Sequence, residues 1–151
     1  MMRKSIQFIF AISTLFLFQS CEGDRFEKKI STYGDDESHN AGENCMACHS
    51  KIGGVEGWFE AAGTVYDPSF STVYPNMLVE LYTGANGTGD LKYSIEGDAK
   101  GNFYTTKKIK FKDGLYPSIT GDGGTKHMSS PITTGNCMSC HGNTTSHMWV
   151  D

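Results

Sequence analysis

The sequence has little positive charge, no clear amphipathic helix beyond its first twenty residues and no spare cysteine. These absences limit the possible partners, the fold class and the roles of the cysteines. It has 13 Lys and Arg residues against 17 Asp and Glu residues, which gives a formal net charge of −4. A nucleic-acid partner is therefore not expected, because phosphate binding needs a basic surface. Beyond residue 20, no stretch has the apolar spacing of an amphipathic helix, which excludes an all-helical fold.

Long hydrophobic runs are also missing. The longest, Ile6–Phe18, follows a short basic start and is too short for a stable membrane span, so it is typical of a secretory signal. Its end, Phe18-Gln19-Ser20-Cys21, resembles the lipobox of bacterial lipoproteins, in which the cysteine is lipidated and becomes the N-terminus. The resemblance implies a lipoprotein signal peptide over 1–20 and an exported outer-membrane lipoprotein, anchored at Cys21 and facing the periplasm or the cell surface. The alternative is an ordinary cleaved signal with an incidental Cys21.

The remaining chain divides by composition into four parts. Residues 21–44 are polar and of mixed charge, which predicts a lipidated N-terminus followed by a flexible tether. Residues 57–121 alternate short apolar stretches with turn residues, which predicts a mainly β fold, a small antiparallel β-sandwich. Two loop segments, 45–56 and 122–151, flank the sandwich. The predicted strands are Trp58–Tyr66, Met77–Tyr82, Leu91–Ile95, Phe103–Phe111 and Leu115–Thr120.

Apart from Cys21, every cysteine belongs to one of two C-x-x-C-H motifs, one in each flanking segment. This motif is the attachment signature of c-type haem. Thiols three residues apart can each form a thioether with one vinyl group of the same porphyrin, and the next residue then lies beneath the ring as proximal iron ligand. Two haem c groups are therefore predicted. Their covalent attachment residues are Cys45 with Cys48 and Cys137 with Cys140, and their proximal iron ligands are His49 and His141.

Two other interpretations of the paired cysteines stay open. Four cysteines in two C-x-x-C pairs could bind structural zinc, but the adjacent histidines would then have no role. Each pair could instead be a redox disulfide of the thioredoxin type. That motif normally follows a strand and opens a helix in a βαβ unit, a pattern that this sequence lacks.

The middle of the chain resembles a known scaffold. The resemblance covers about 60 residues, from Ala62 to Thr120, and rests on Ala62–Asp67, Pro75–Tyr82, Asp98–Tyr104 and Gly114–Pro117. These stretches are similar to those of carboxypeptidase regulatory-like modules, which are transthyretin-like β-sandwiches. The resemblance implies a non-catalytic scaffold between the haem sites and says nothing of the chemistry.

The segments upstream of the motifs contain candidates for the distal iron ligand. Ser38-His39-Asn40-Ala41-Gly42 precedes the first motif, and His127-Met128 precedes the second. Both segments resemble those upstream of the haem motifs in small multihaem proteins that carry a sandwich between the two motifs. The resemblance implies His39 at the first iron and His127 or Met128 at the second, with His147 as an alternative. Any one of them could instead be a solvated polar side chain.

Electron transfer is the expected function, because an iron with both axial positions filled does not readily bind a substrate. The expected partners are redox proteins, with other multihaem cytochromes among the candidates. One alternative is a small dihaem peroxidase or reductase with one open iron site, although no acid or base residues mark such a site. The other is a surface-binding module of a larger cytochrome complex.

Overall fold

The computed structural model describes residues 29–51 and 57–151. The predicted signal peptide, the lipidation site Cys21 and residues 22–28 and 52–56 lie outside that part of the chain. The described residues form a mainly β structure with two four-stranded sheets, as the sequence predicts. The strands are β1 (Ala61–Tyr66), β2 (Leu78–Tyr82), β3 (Leu91–Glu96), β4 (Asn102–Thr105), β5 (Tyr116–Gly121), β6 (Gly124–His127), β7 (Gly135–Asn136) and β8 (Met148–Trp149).

Helical structure in the described residues is limited to single turns. One α-helical turn, α1, covers Cys45–Cys48, and two 3-10 turns cover Ala85–Gly87 and Cys137–Ser139. No helix in residues 29–51 and 57–151 has the length and apolar character needed to cross a membrane.

Sheet II has the strand order β3-β2-β5-β6, and all of its pairs are antiparallel. Its burial follows the two-residue period of a half-covered sheet. Val79 and Leu81 of β2 are buried with Ile95 of β3, whereas Glu80 and Tyr82 point to the other face. There the Tyr82 hydroxyl donates to Glu80 at 2.9 Å.

Sheet I has the strand order β4-β1-β7, and β8 also pairs with β1. β4 is antiparallel to β1, but β7 and β8 are parallel to it. The sandwich is therefore not wholly antiparallel. A parallel pair needs a long crossover connection, and here the whole of sheet II separates β1 from β7 along the chain.

The hydrophobic core lies between the sheets. Its most deeply buried apolar side chains come from both sheets and from their connections, including Val65, Met77, Phe103 and Val150. Met138, the second residue of the C-terminal C-x-x-C-H motif, is also buried in this cluster. That motif is therefore packed on the sandwich. The strands β6, β7 and β8 all lie in residues 122–151, so this range contributes to the sheets as well as carrying the motif.

Residues 29–44 pair with the β4 edge of sheet I and then pack on its outer face. Ile30 forms a β-bridge with Thr105, and the Ser31 amide donates to the Tyr104 carbonyl at 3.0 Å. Further along, the Gly42 amide donates to the Thr64 hydroxyl at 2.9 Å. These residues are part of the folded body and are not a tether, because their backbone groups are paired with the sheet despite the polar side chains.

Strand β1 is consequently covered on both faces. Its first five residues, Ala61–Val65, are all buried, where a half-exposed strand would alternate. The predicted strand Phe103–Phe111 is shorter than expected and ends at Thr105, whose hydroxyl accepts a hydrogen bond from the Lys107 amide at 3.0 Å. That contact turns the chain away from β1.

Candidate cofactor-binding sites

The two C-x-x-C-H motifs fold into the same local turn. The His49 amide donates to the Cys45 carbonyl at 2.8 Å, and the His141 amide donates to the Cys137 carbonyl at 3.1 Å. In each motif the first thiol points to the carbonyl two residues earlier, at 3.6 Å for Cys45 and 3.4 Å for Cys137. One helical turn thus brings both thiols and the imidazole of each motif together.

Both proximal candidates are held by the same kind of hydrogen bond. His49 Nδ1 lies 3.1 Å from the Gly57 carbonyl oxygen, and His141 Nδ1 lies 2.9 Å from the Ser146 carbonyl oxygen. A carbonyl can only accept, so Nδ1 carries the proton in each neutral ring and Nε2 keeps its lone pair. A hydrogen bond from the second ring nitrogen to a carbonyl commonly orients a histidine that binds a metal through its first. The residues therefore fit an iron ligated by Nε2.

The first motif borders a cavity of about 630 Å³, the first cavity. Inside it the His39 and His49 ring centroids are 5.9 Å apart, with 42° between the ring planes. An imidazole nitrogen binds a transition metal at about 2.0–2.1 Å, so two rings on opposite sides of one ion need a separation of this order. The structure brings together the proximal and distal candidates that the sequence named for this site.

The His49 ring is part of an aromatic stack. Its ring lies 4.3 Å from the ring of Phe59, which in turn lies 4.9 Å from the ring of Tyr104. Both aromatic residues line the first cavity, and sequence reasoning missed their role. Phe59 lies in a strand-like stretch that carries no motif, and β4 supplies Tyr104 from far along the chain, so no local pattern links either to His49.

The second motif borders a cavity of about 650 Å³, the second cavity. Both cavities lie within the usual range for small-molecule and cofactor sites, roughly 300–1,000 Å³. The second cavity reaches into the space between the sheets. Core side chains form its inner wall, namely Val79, Leu81, Ile95, Phe103 and Ile119.

The three candidates near the second motif all line the second cavity. His127 ends the exposed strand β6, and Met128 follows it. The His147 ring lies 4.6 Å from the Tyr66 ring at a tilt of 45°, and its Nδ1 is buried without a hydrogen-bond partner. Among the described histidines, none makes a ring contact with His141 of the kind that joins His39 to His49. The two sites therefore differ at the distal position.

Sheet I separates the two cavities. In β4, Asn102 and Tyr104 line the first cavity, whereas Phe103 between them lines the second. Side chains alternate across a strand, so the cavities lie on opposite faces of this sheet. The parallel pairing of Ala62 with Asn136 places Cys137 immediately beside β1. The two motifs are remote in sequence, but both lie against strand β1.

The thiols differ in burial and acidity. Cys48 and Cys140 are exposed, whereas Cys45 and Cys137 are partly buried, and all four are free thiols. Burial raises the pKa of the Cys45 thiol. Burial, together with the negative charge of Cys45, raises the pKa of Cys137 to about 12. A thioredoxin-type pair needs a lowered pKa at its attacking thiol, so these values argue against that interpretation.

The described residues contain no cluster of side chains that could bind a bare metal ion. In residues 29–51 and 57–151, no group of three or more His, Cys, Asp or Glu side chains converges closely enough to hold one. A structural zinc site needs four such ligands. Haem iron takes only two axial ligands from the protein, because the porphyrin fills the other positions.

Asn44 and Asn136, which immediately precede the first cysteine of each motif, share one further feature. The side-chain Oδ1 of each is buried without a hydrogen-bond partner. Each also lines the cavity beside its own motif. The repeated Asn-Cys-Met-x-Cys-His sequence is the signal that could have identified them.

Fold and site together define a class: a mainly β sandwich with one C-x-x-C-H turn on either side of a shared sheet. Comparison with known proteins adds no family to this description. No protein-family model, no curated protein and no solved structure matches the chain.

Proposed function

We propose that the chain is an exported, membrane-anchored dihaem c-type cytochrome that transfers electrons. Cys45 and Cys48 would hold one haem c and Cys137 and Cys140 the other. Each bound iron would accept and release one electron. The chain's own part is to attach, orient and enclose these groups. Their proximal ligands would be His49 and His141.

The observation that carries this proposal is the matched orientation of the two imidazoles. Each motif forms the same turn and fixes Nδ1 of its histidine on a backbone carbonyl, beside a cavity of cofactor size. A solvated histidine would have no reason to repeat this arrangement. At the first site, His39 is the proposed distal ligand because its ring lies 5.9 Å from the His49 ring beside the same cavity. At the second site the distal candidates are Met128 and His127.

The position of sheet I supports electron transfer within one molecule. Only one layer of backbone and its side chains separates the two cavities, because neighbouring residues of β4 line one and the other. Electrons could therefore pass between the sites without a third protein.

The exposed cysteines support exchange with partners. Cys48 and Cys140 are both exposed, so each attachment site reaches the protein surface. We propose redox proteins, including other multihaem cytochromes, as the partners, with the lipid anchor at Cys21 holding the protein at the outer membrane. The anchor rests on the sequence signal alone.

Covalent haem content tests the proposal directly. The full chain is expressed with a cytochrome c maturation system, and the denatured product is examined by haem staining and intact mass. Two porphyrin adducts per chain are expected. Cys48→Ala and Cys140→Ala should each reduce covalent haem to about one per chain. A full-length exported product without porphyrin adducts would refute the proposal.

A small redox enzyme is the second candidate, and one observation favours it. No described histidine makes a ring contact with His141, so the second iron could keep an open position where Met128 does not reach it. Carbon monoxide binding to one haem per reduced chain would support this candidate. Two low-spin irons that bind no carbon monoxide would exclude it.

A further inference from the structure

We infer that the two sites hold their haems at different reduction potentials, the first site lower and the second higher, so that electrons pass from the first to the second across sheet I. This inference rests on the proposed function. It follows from the walls of the two cavities, which differ in charge and in polarity.

The wall of the first cavity carries negative charge. Of the described residues that line it, Asp35, Glu37 and Glu43 are acidic, and Lys29 supplies the single cation. Oxidation adds one positive charge to the iron, and nearby carboxylates favour that charge. The oxidised state is therefore stabilised and the potential falls. The three carboxylates are exposed, so solvent and salt weaken their effect without reversing it.

The wall of the second cavity acts in the opposite direction. Its inner part consists of buried aliphatic and aromatic side chains, and none of the described residues that line it is acidic. A poorly polarisable surrounding disfavours the additional charge of the oxidised iron. Burial of this kind is one of the means by which a protein raises a haem potential. Lys126 is the one Lys or Arg here, and a salt bridge of 2.9 Å to Asp151 offsets its charge.

The axial ligands act in the same direction as the walls. His39 faces His49 at the first site, which suits ligation by two histidines. Met128 lines the second cavity together with His141, and a methionine opposite a histidine raises the potential. Charge, burial and ligand type therefore agree on which site is the electron donor.

A spectroelectrochemical titration of the purified holoprotein tests the inference. Two separate one-electron components are expected. The double variant Glu37→Gln with Glu43→Gln should shift the lower component upward and leave the upper one in place, with a larger shift at low ionic strength. Asp113→Asn is the matched control, since this exposed carboxylate lines neither cavity, and it should move neither component.

The outcomes separate this inference from the proposed function. Haem content is measured on the same samples, and circular dichroism checks that each variant is folded. Fewer than two covalent haems per chain would mean that the proposed function has failed. Two haems that titrate at one potential, or a double variant that moves the upper component or neither, would overturn the inference while the cytochrome assignment stands.

Discussion

At the residue scale, the two motif histidines show how a short turn selects one ring nitrogen. The turn fixes the backbone of His49 and His141, and a carbonyl downstream of each then holds Nδ1. The motif, and with it the type of ligand, can be predicted from the sequence. The carbonyl partners Gly57 and Ser146 cannot, because any residue supplies a carbonyl and only the path of the chain decides which one arrives.

His39→Ala should change the spin state of one haem without removing it. The thioethers at Cys45 and Cys48 do not depend on the distal ligand, so denaturing haem staining should stay at two per chain. Loss of the ring that faces His49 should open one axial position. We expect about half of the low-spin ferric signal in the electron paramagnetic resonance spectrum to convert to a high-spin signal.

His127→Ala is the comparison for that variant. His127 is exposed, lies against the turn at Gly87 and lines only the second cavity. The His127→Ala variant should therefore leave the signal of the first site unchanged. An unaltered low-spin spectrum in His39→Ala would contradict the assignment of His39 as distal ligand.

At the element scale, the N-terminal segment shows where composition misleads. Residues 29–44 are rich in polar and charged side chains, which predicts a tether. In the structure, however, backbone groups of this segment form hydrogen bonds with sheet I. Ile30 forms a backbone bridge with Thr105, and the Ser31 amide donates to the Tyr104 carbonyl at 3.0 Å. Such pairing depends on main-chain groups that every residue carries, so no sequence pattern reports it.

Ser31→Ala should destabilise the holoprotein by about 1–3 kcal/mol, since it leaves buried backbone groups of β4 without their partner. Thr32→Ala is the matched control, because the neighbouring Thr32 is exposed and donates only to Asp35 at 2.5 Å. It should change the free energy of unfolding by less than about 0.5 kcal/mol. Urea denaturation followed by circular dichroism measures both. Equal stability of the two variants would mean that the segment does not hold to the sheet.

The strands divide by length into those that can be predicted and those that cannot. β2, β3 and β5 have five or six residues each and overlap the predicted strands Met77–Tyr82, Leu91–Ile95 and Leu115–Thr120, so the sequence predicts all three. β7 and β8 have two residues each and pair in parallel with β1. Two residues carry no periodicity, and their partner lies about half of the chain away, so only the folded structure identifies them.

At the scale of the whole molecule, sheet I is a partition with one site on each face. The first cavity lies under the N-terminal segment, outside the sandwich. The second opens into the space between the sheets and shares its walls with the core. The sequence shows that the motifs flank the sandwich, but not that one lies outside it and the other extends into it. That difference arises because β7 returns to β1 and carries Cys137 to the inner face.

Loss of the second attachment site should therefore destabilise the fold more than loss of the first. In Cys137→Ser with Cys140→Ser, the partly buried side chains Ile119, Ile132 and Trp149 would lose the apolar surface that we propose fills the second cavity. In Cys45→Ser with Cys48→Ser, the exposed wall of the first cavity loses less. Because an unfilled apolar cavity in a core typically costs about 2–5 kcal/mol, we expect the C-terminal pair to lower the free energy of unfolding by that much more.

Urea denaturation gives the two free energies, and binding of a hydrophobic dye to the native state reports whether core surface has become exposed. Haem staining first establishes that each pair of substitutions leaves one covalent haem, so the comparison is between chains of equal cofactor content. The C-terminal pair should bind the dye and unfold at lower urea. Equal midpoints with no dye binding would contradict this, because a cofactor that never reached Ile119 and Trp149 could be removed without exposing them.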